Sequence, residues 1–304
     1  MHVWTHDRFA FPLPVGHRFP LPKYRLLRER VVGDGLASPE EVHEADPVAW
    51  ADLEAVHDPA LVGRIRAGRL SAREQRGLGL PWSPELVARG RRSVAGTIAA
   101  AFHALDHGAA MNLGGGTHHA GRDFARGYCL FNDVAVAVAC LRDAAAARRA
   151  LVVDCDVHQG DGTAQLLAGA ADPDAFALSL HGARNYPFQR IASDLDVDLP
   201  TGTRDERYLA ALERALEDAL GGLRPDVAFY LAGADPWDGD RLGRLALTKA
   251  GLRRRDELVL DRLGALGVPV CVVLAGGYAP DVRDAVDIHA GTAAAVCARY
   301  RRSR

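Results

Sequence analysis

The feature that most constrains this chain is a repeated unit: a short apolar run, a Gly-bearing exit, then a stretch with helical spacing. The runs are Ala150 to Val153, Ala175 to Leu180, Val227 to Leu231 and Val270 to Leu274. Helix-forming composition with a period near 3.6 fills roughly 93–108, 132–149, 163–169, 204–221, 248–265 and 281–299. Parallel strands cannot be joined by tight hairpins, so strand-then-helix repetition predicts a mostly parallel sheet covered by helices on both faces. Strands buried on both faces read as near-continuous apolar runs, and these do. In open α/β sheets, ligands bind beyond the carboxyl ends of the strands. That is where this chain places its reactive side chains.

The first such end is Asp154-Cys155-Asp156-Val157-His158-Gln159-Gly160-Asp161-Gly162. In extended backbone, residues 154, 156 and 158 share a face. Asp and His together form a ligand set suited to Zn²⁺. A turn in which Asp caps the next helix would use the same letters, but the other strand ends weigh against it. Met111 to Leu113 runs through Gly114, Gly115 and Gly116 into Thr117, His118 and His119. An isolated His-His reads as a solvated pair, whereas a Gly-rich approach points to a crowded site where a Cβ does not fit. Val227 to Leu231 leads to Asp235-Pro236, and Val270 to Leu274 leads through Gly276 and Gly277 to Tyr278. The strand-end rule thus gathers His118, His119, Asp154, Asp156, His158, Asp235 and Tyr278 at one edge.

The composition of the 304 residues fits one soluble domain, 1–304, with 1–84 as rim loops and short helices of the same domain. A net charge of −2 argues against a nucleic-acid surface. The basic runs Arg89 to Arg92, Arg253 to Arg255 and Arg299 to Arg304 read as solvated helix faces and tail. Five cysteines without metal or redox spacing suit a reduced, cytoplasmic setting. Met1 to Pro22 lacks the apolar core of a signal peptide, and no run is long enough to span a membrane.

The motifs in combination resemble the histone deacetylase superfamily of zinc-dependent amidohydrolases, on the arginase-like α/β fold. They are Gly115-Gly116-Thr117-His118-His119, Gly127 to Asp133, Asp154 to Gly162, Ser179-Leu180-His181, Gly233-Ala234-Asp235 and Gly276-Gly277-Tyr278. The resemblance covers about Gly16 to Gly291 and implies a single-domain fold with a sheet of about eight strands. His158-Gln159-Gly160, Asn185-Tyr186-Pro187, Gly239 to Gly243 and Arg255 to Val259 look most like the class IV branch. Gly16 to Pro20 is similar to the amino-terminal part of bacterial members.

Carried over residue by residue, the resemblance implies that Asp156, His158 and Asp235 bind one Zn²⁺ in an open, catalytic site. His118 and His119 are oriented by Asp154 and Asp161, with His119 as general base and then acid. Tyr278 donates to the carbonyl oxygen. In the family the segment Asp154, Asp156, His158 with Ser179 and Leu180 also rings a structural K⁺. The substrate tunnel falls to Gly127, Tyr128, Tyr186, Leu242, Gly276 and Gly277. Tyr128 stands where most relatives carry a Phe. Leu242 stands where polyamine deacetylases tend to carry an acidic gatekeeper, so an acylated lysine, acetylated or longer, is the expected substrate. Three alternatives accompany this reading: deacetylation of a small acylated amine such as an acetylpolyamine, a two-manganese ureohydrolase on the same fold, and a catalytically silent acyl-binding module. The Asp-x-Asp-x-His spacing and the Tyr after Gly-Gly argue against the second. The filled catalytic positions argue against the third. Oligomeric state is not legible in the sequence.

Overall fold

The computed structural model describes residues 1–300, so the tail from Arg301 onward lies outside the described residues. Eight strands form one all-parallel sheet: β1 (Val3–Trp4), β2 (Val42–His43), β3 (Ala109–Asn112), β4 (Ala150–Asp154), β5 (Ala175–Gly182), β6 (Leu195–Leu199), β7 (Val227–Leu231) and β8 (Val270–Val273). Their order is β2-β1-β3-β8-β7-β4-β5-β6. Both faces are covered, as the apolar runs require. Leu151 and Val153 of β4 and Val270 and Val272 of β8 join one core cluster, while Val152, Cys271 and Val273 join the other.

Helices α1 (Pro22–Gly33), α8 (Asp205–Gly222), α9 (Lys249–Ala265) and α10 (Val282–Tyr300) cover the first face. Helices α5 (Pro84–His107), α6 (Asp133–Asp143) and α7 (Asp161–Leu167) cover the second. Beyond α5, the short helices α2 (Trp50–Glu54), α3 (Pro59–Ala67) and α4 (Ala72–Leu78) build a third apolar cluster. No helix among the described residues is long and apolar enough to cross a membrane.

Several elements differ from the sequence expectation. The first 84 residues carry rim loops and short helices, but they also supply β1 and β2 at the sheet edge. Two-residue strands carry no readable periodicity. β6, Leu-Asp-Val-Asp-Leu, is an edge strand whose alternate residues are exposed, so it lacks the apolar run of its neighbours. The α5 helix starts at Pro84 rather than near 93, because Ser83 Oγ accepts the Leu86 amide at 3.1 Å and Pro84 fits the first turn. The α6 helix stops at Asp143, and Ala145 (φ 52°) carries the chain back towards β4.

Candidate active site

β4 ends at Asp154, yet the alternation continues past it: Cys155 and Val157 pack into the core cluster. Asp154 Oδ1 accepts the Asp156 amide at 3.0 Å, and Asp156 Oδ1 accepts the His158 amide at 2.9 Å. Each carboxylate therefore bends and pins the chain two residues on, the local bonding to which Asp is suited. From the end of β7, Asp235 Oδ1 accepts the Val157 amide at 2.9 Å. Asp156 Oδ2 accepts the Gly276 amide beyond β8 at 2.7 Å. A Cβ at Gly276 would collide with Asp235 Oδ2 and Asp156 Oδ2, so only glycine lets this backbone approach.

Asp156, His158 and Asp235 each offer a ligand atom within 4.8 Å of the other two, and all three are buried. Asp235 Oδ2 has no hydrogen-bond partner. Burial and the nearby Asp156 charge push the Asp235 carboxyl up to about 7. Burial opposes charging His158, but the Asp156 and Asp235 carboxylates outweigh it and push the imidazole up to about 10. Both shifts have one cause, two buried carboxylates with too little positive charge beside them. The donor set and the orphaned oxygen fit a divalent cation with nitrogen and oxygen preference.

Beside this cluster stand two histidine–aspartate couples. His118 Nδ1 lies 2.6 Å from Asp154 Oδ2, and His119 Nδ1 lies 2.5 Å from Asp161 Oδ1 at the start of α7. The couples differ electrostatically. Burial works against a charge on His118, yet Asp154 and Asp156 outweigh it and raise this imidazole to about 9. His119 falls to about 4, lowered by burial and then by the His118 charge. Asp161 opposes that fall, but it also forms an ion pair with Arg126, a residue sequence reasoning did not single out. His119 is thus the neutral member, with its second ring nitrogen free to take a proton.

The loop carrying both histidines hangs on Asp133. That buried carboxylate accepts the Gly116 amide at 3.0 Å, the Thr117 amide at 2.7 Å, and the hydroxyls of Thr117 and Thr97, each at 2.6 Å. Gly115 and Gly116 have φ near +70°, and a Cβ on either would strike Asp133 or Ala275. The glycines answer this crowding, while Asp133, which closes the Gly127 to Asp133 motif, has no organising role legible in the sequence, because an Asp at the start of α6 reads as an ordinary first-turn acid. Arg255 is another such organiser, and not part of the solvated helix face that the Arg253 to Arg255 run suggests. It is fully buried and donates to the carbonyls of Gly233 (2.6 Å) and Cys155 (3.3 Å), tying the exits of β7 and β4 together.

These groups open into a cavity of about 440 Å³ lined by His118, His119, Asp156, His158, Gly127, Tyr128, Tyr186, Leu242, Gly276 and Tyr278. The His119 ring meets the Tyr186 ring edge-on at 4.9 Å. The Tyr128 ring lies 5.8 Å from that of Tyr278. Burial, with Asp156 and Asp235 nearby, pushes the Tyr278 hydroxyl well up, so it stays protonated and can donate. Asp240 accepts the amides of Tyr278, Leu242 and Gly243 at 2.6 to 2.9 Å, fixing wall and gate to one carboxylate. Gly277, expected in the tunnel, is not on its wall: a Cβ there would face Ala234 and His289. Its φ of +145° turns the chain so that the next residue, Tyr278, faces the cavity. Asp154 and Ser179, expected near K⁺, are register partners on β4 and β5. Phe11, Leu80 and Leu86 also line the cavity. Phe11 and Leu80 come from the amino-terminal region and Leu86 from the first turn of α5, where no motif marks them.

Residues 17–293 match the family model for the histone deacetylase domain. The chain belongs to the histone deacetylase family. It is 45% identical to an uncharacterized protein of Picosynechococcus sp., over 94% of this chain and 95% of that one. It is 29% identical to histone deacetylase 2 of Arabidopsis thaliana, over 86% of this chain and 70% of that protein. It is also 29% identical to a histone deacetylase-like amidohydrolase of Pseudomonas aeruginosa, over 88% and 74%. Among solved structures, an HDAC homolog complexed with SAHA superposes with a TM-score of 0.84, covering 98% of this chain and 84% of that one at 22% identity. The HDAC homolog from Aquifex aeolicus gives 0.82 over 98% and 84%, again at 22%. The fold is therefore the arginase/deacetylase-like α/β fold, and the family is one of amide-cleaving hydrolases.

Proposed function

We propose that the protein is a zinc-dependent deacylase that hydrolyses the amide of an acylated lysine. The observation that carries this reading is the pair of unlike histidine–aspartate couples beside the Asp156–His158–Asp235 cluster at one cavity. Those three residues would hold the ion, which when bound would supply a Lewis acid for the carbonyl and acidify water. His119, neutral and hydrogen-bonded through Nδ1 to Asp161, takes a proton from the attacking water and delivers it to the departing amine. His118, charged beside Asp154, stabilises negative charge as it develops. The Tyr278 hydroxyl donates to the oxyanion. K⁺ near Asp154, Asp156, His158, Ser179 and Leu180 would be structural.

The walls support a lysine chain over a polyamine. Tyr128, Tyr186 and Leu242 are apolar or neutral, and Asp156, at the metal cluster, is the sole carboxylate on the lining among the described residues. Phe11, Leu80 and Leu86 extend the apolar surface, which favours acyl groups longer than acetyl by about 0.8 kcal/mol for each methylene removed from water. The test is a turnover panel of acetyl-lysine peptides, longer acyl-lysine peptides and acetylpolyamines with zinc-loaded protein, each repeated with chelator. Chelator-sensitive turnover of acyl-lysine is expected. A strong preference for acetylpolyamines would replace the lysine reading with the small-molecule one.

A further inference from the structure

The mouth of the cavity has a charge opposite to that of the molecule. The chain carries a net −2, yet the exposed charged side chains on the lining are Arg76, Arg184 and Arg244, all arginine. They come from three separate places: the last turn of α4, the connection after β5, and the connection between β7 and α9. A fourth arginine, exposed Arg18, acts electrostatically on the Tyr128 hydroxyl. None of the four forms an ion pair with a carboxylate among the described residues, so their charge is free to act on what approaches the opening. The nearby Asp240 is occupied by three backbone amides.

The same rim is also apolar. Phe188 lines the cavity and is 85% exposed, and Val15, two residues before the His17 that packs on Tyr128, is fully exposed. These are two of the three large hydrophobic side chains left in water among the described residues. Unpaired arginines and bare apolar side chains around one opening form a surface that is complete only with a partner. The field of four arginines attracts carboxylates and repels cations, raising encounter rates for one sign and lowering them for the other. Arginine also presents a fork that a carboxylate can engage with two parallel bonds.

We propose that this rim docks an acidic peptide segment, so that the acylated lysine admitted to the cavity is one flanked by Asp or Glu. The inference rests on the lysine-deacylase reading and narrows it: basic tails and polyamines are disfavoured at the entrance, before the tunnel reads them. Phe188 and Val15 favour a peptide over a small anion, because a free acylated amino acid has nothing to lay on them.

The test uses acetyl-lysine heptapeptides with acidic, neutral or basic flanks on the zinc-loaded protein, and a small acetylated amine carrying two carboxylates. At low salt kcat/KM should favour the acidic over the basic peptide by about tenfold, the scale a few exposed ion pairs supply together. The preference should lie in KM and shrink towards unity in 0.5 M salt. In the double variant Arg184→Glu/Arg244→Glu it should reverse. Equal kcat/KM for acidic and basic peptides, or a preference that neither salt nor the double variant alters, would overturn the proposal. Equal use of the small dicarboxylate and the acidic peptide would overturn its commitment to peptides. Fluorescence anisotropy of the labelled peptides on His119→Ala separates the two readings. If acidic peptides bind there preferentially while no acyl-lysine is turned over by the unmodified protein, the docking surface stands and the deacylase reading fails.

Discussion

The floor and the mouth of the cavity are built by different means. On the floor Asp154, Asp156 and Asp235 stand at the ends of β4 and β7, buried, each accepting backbone amides that fix its direction. At the mouth Arg76, Arg184 and Arg244 stand on loops or a short helix, exposed and without an ion-pair partner among the described residues, and exposed Phe188 meets only the edge of the Tyr186 ring. The floor is over-determined by the sheet, so its chemistry tolerates little change. The mouth's backbone is also pinned, with the Gly202 amide on Arg244 O at 2.8 Å and Asn185 Nδ2 on Leu242 O at 2.9 Å, but its arginine side chains reach into solvent, so its selectivity can change without disturbing the fold.

The hardest test of the floor is Asp235→Ala. It removes one of the three proposed ligands and leaves Asp156 and His158 facing an empty corner. Zinc content measured after dialysis should fall, and turnover should drop more than ~10³-fold, the scale of several kcal/mol of lost charge stabilisation. Full zinc occupancy with full activity would remove Asp235 from the site.

A smaller effect separates the two histidine couples. His119→Ala should keep its zinc and lose turnover by more than ~10², the lower end for general acid–base catalysis. His118→Ala should cost less, since the part proposed for it is electrostatic. If His118→Ala proves far more damaging at saturating metal, the roles of the two histidines are exchanged.

The same division explains what could be read in advance. The floor was legible because apolar runs mark strands, and strand ends carry the chemistry: Asp154, Asp156, His158, Asp235 and Tyr278 follow from run boundaries alone. Their roles came from resemblance: Asp156, His158 and Asp235 as ligands, Asp154 and Asp161 behind the two histidines, Tyr278 as donor, His119 over His118, and the tunnel residues. What stayed hidden acts through groups distant in sequence. Asp133 reaches back to Gly116, Arg255 reaches the exits of two strands, and Arg126 shares Asp161 with His119. None leaves a periodic trace. The amino-terminal wall was illegible for a different reason: β1 and β2 have two residues each, and Phe11 lies in a loop.

His57 tests how that amino-terminal layer is joined to the wall. It is buried, its Nδ1 lies 2.7 Å from Gly121 O, and its Nε2 accepts the Asn132 amide at 3.0 Å just before α6. Burial lowers it from 6.5 to about 4, against the pull of the Gly121 carbonyl. The folded state therefore keeps it neutral, while the unfolded chain takes up a proton as pH falls below about 6.5. Stability from this group is present above pH 6.5 and lost between there and about pH 4. At 1.36 kcal/mol per pH unit the loss from pH 7 to pH 5 is about 2 kcal/mol. Urea unfolding at both pH values should show His57→Gln less stable than the parent at pH 7 but with a smaller drop on acidification. An equal drop in both proteins would assign the acid sensitivity elsewhere.

The smallest expected effect lies at the gate. Leu242→Glu places a carboxylate where the wall is apolar, and a carboxylate near the entrance attracts the distant ammonium of an acetylpolyamine. Arg184 and Arg244 line the same cavity, however, and a new Glu has cationic neighbours to pair with before any substrate arrives. An exposed pair of that kind is worth about 0.2–1 kcal/mol, comparable to what the ammonium would gain. The shift in kcat/KM from acyl-lysine towards acetylpolyamine should therefore be only a few-fold. It should grow when Leu242→Glu is combined with Arg184→Glu and Arg244→Glu, which remove the competing cations. If Leu242→Glu alone reverses the preference outright, the arginines do not reach the gate, and the mouth is less coupled to the wall than their shared cavity implies.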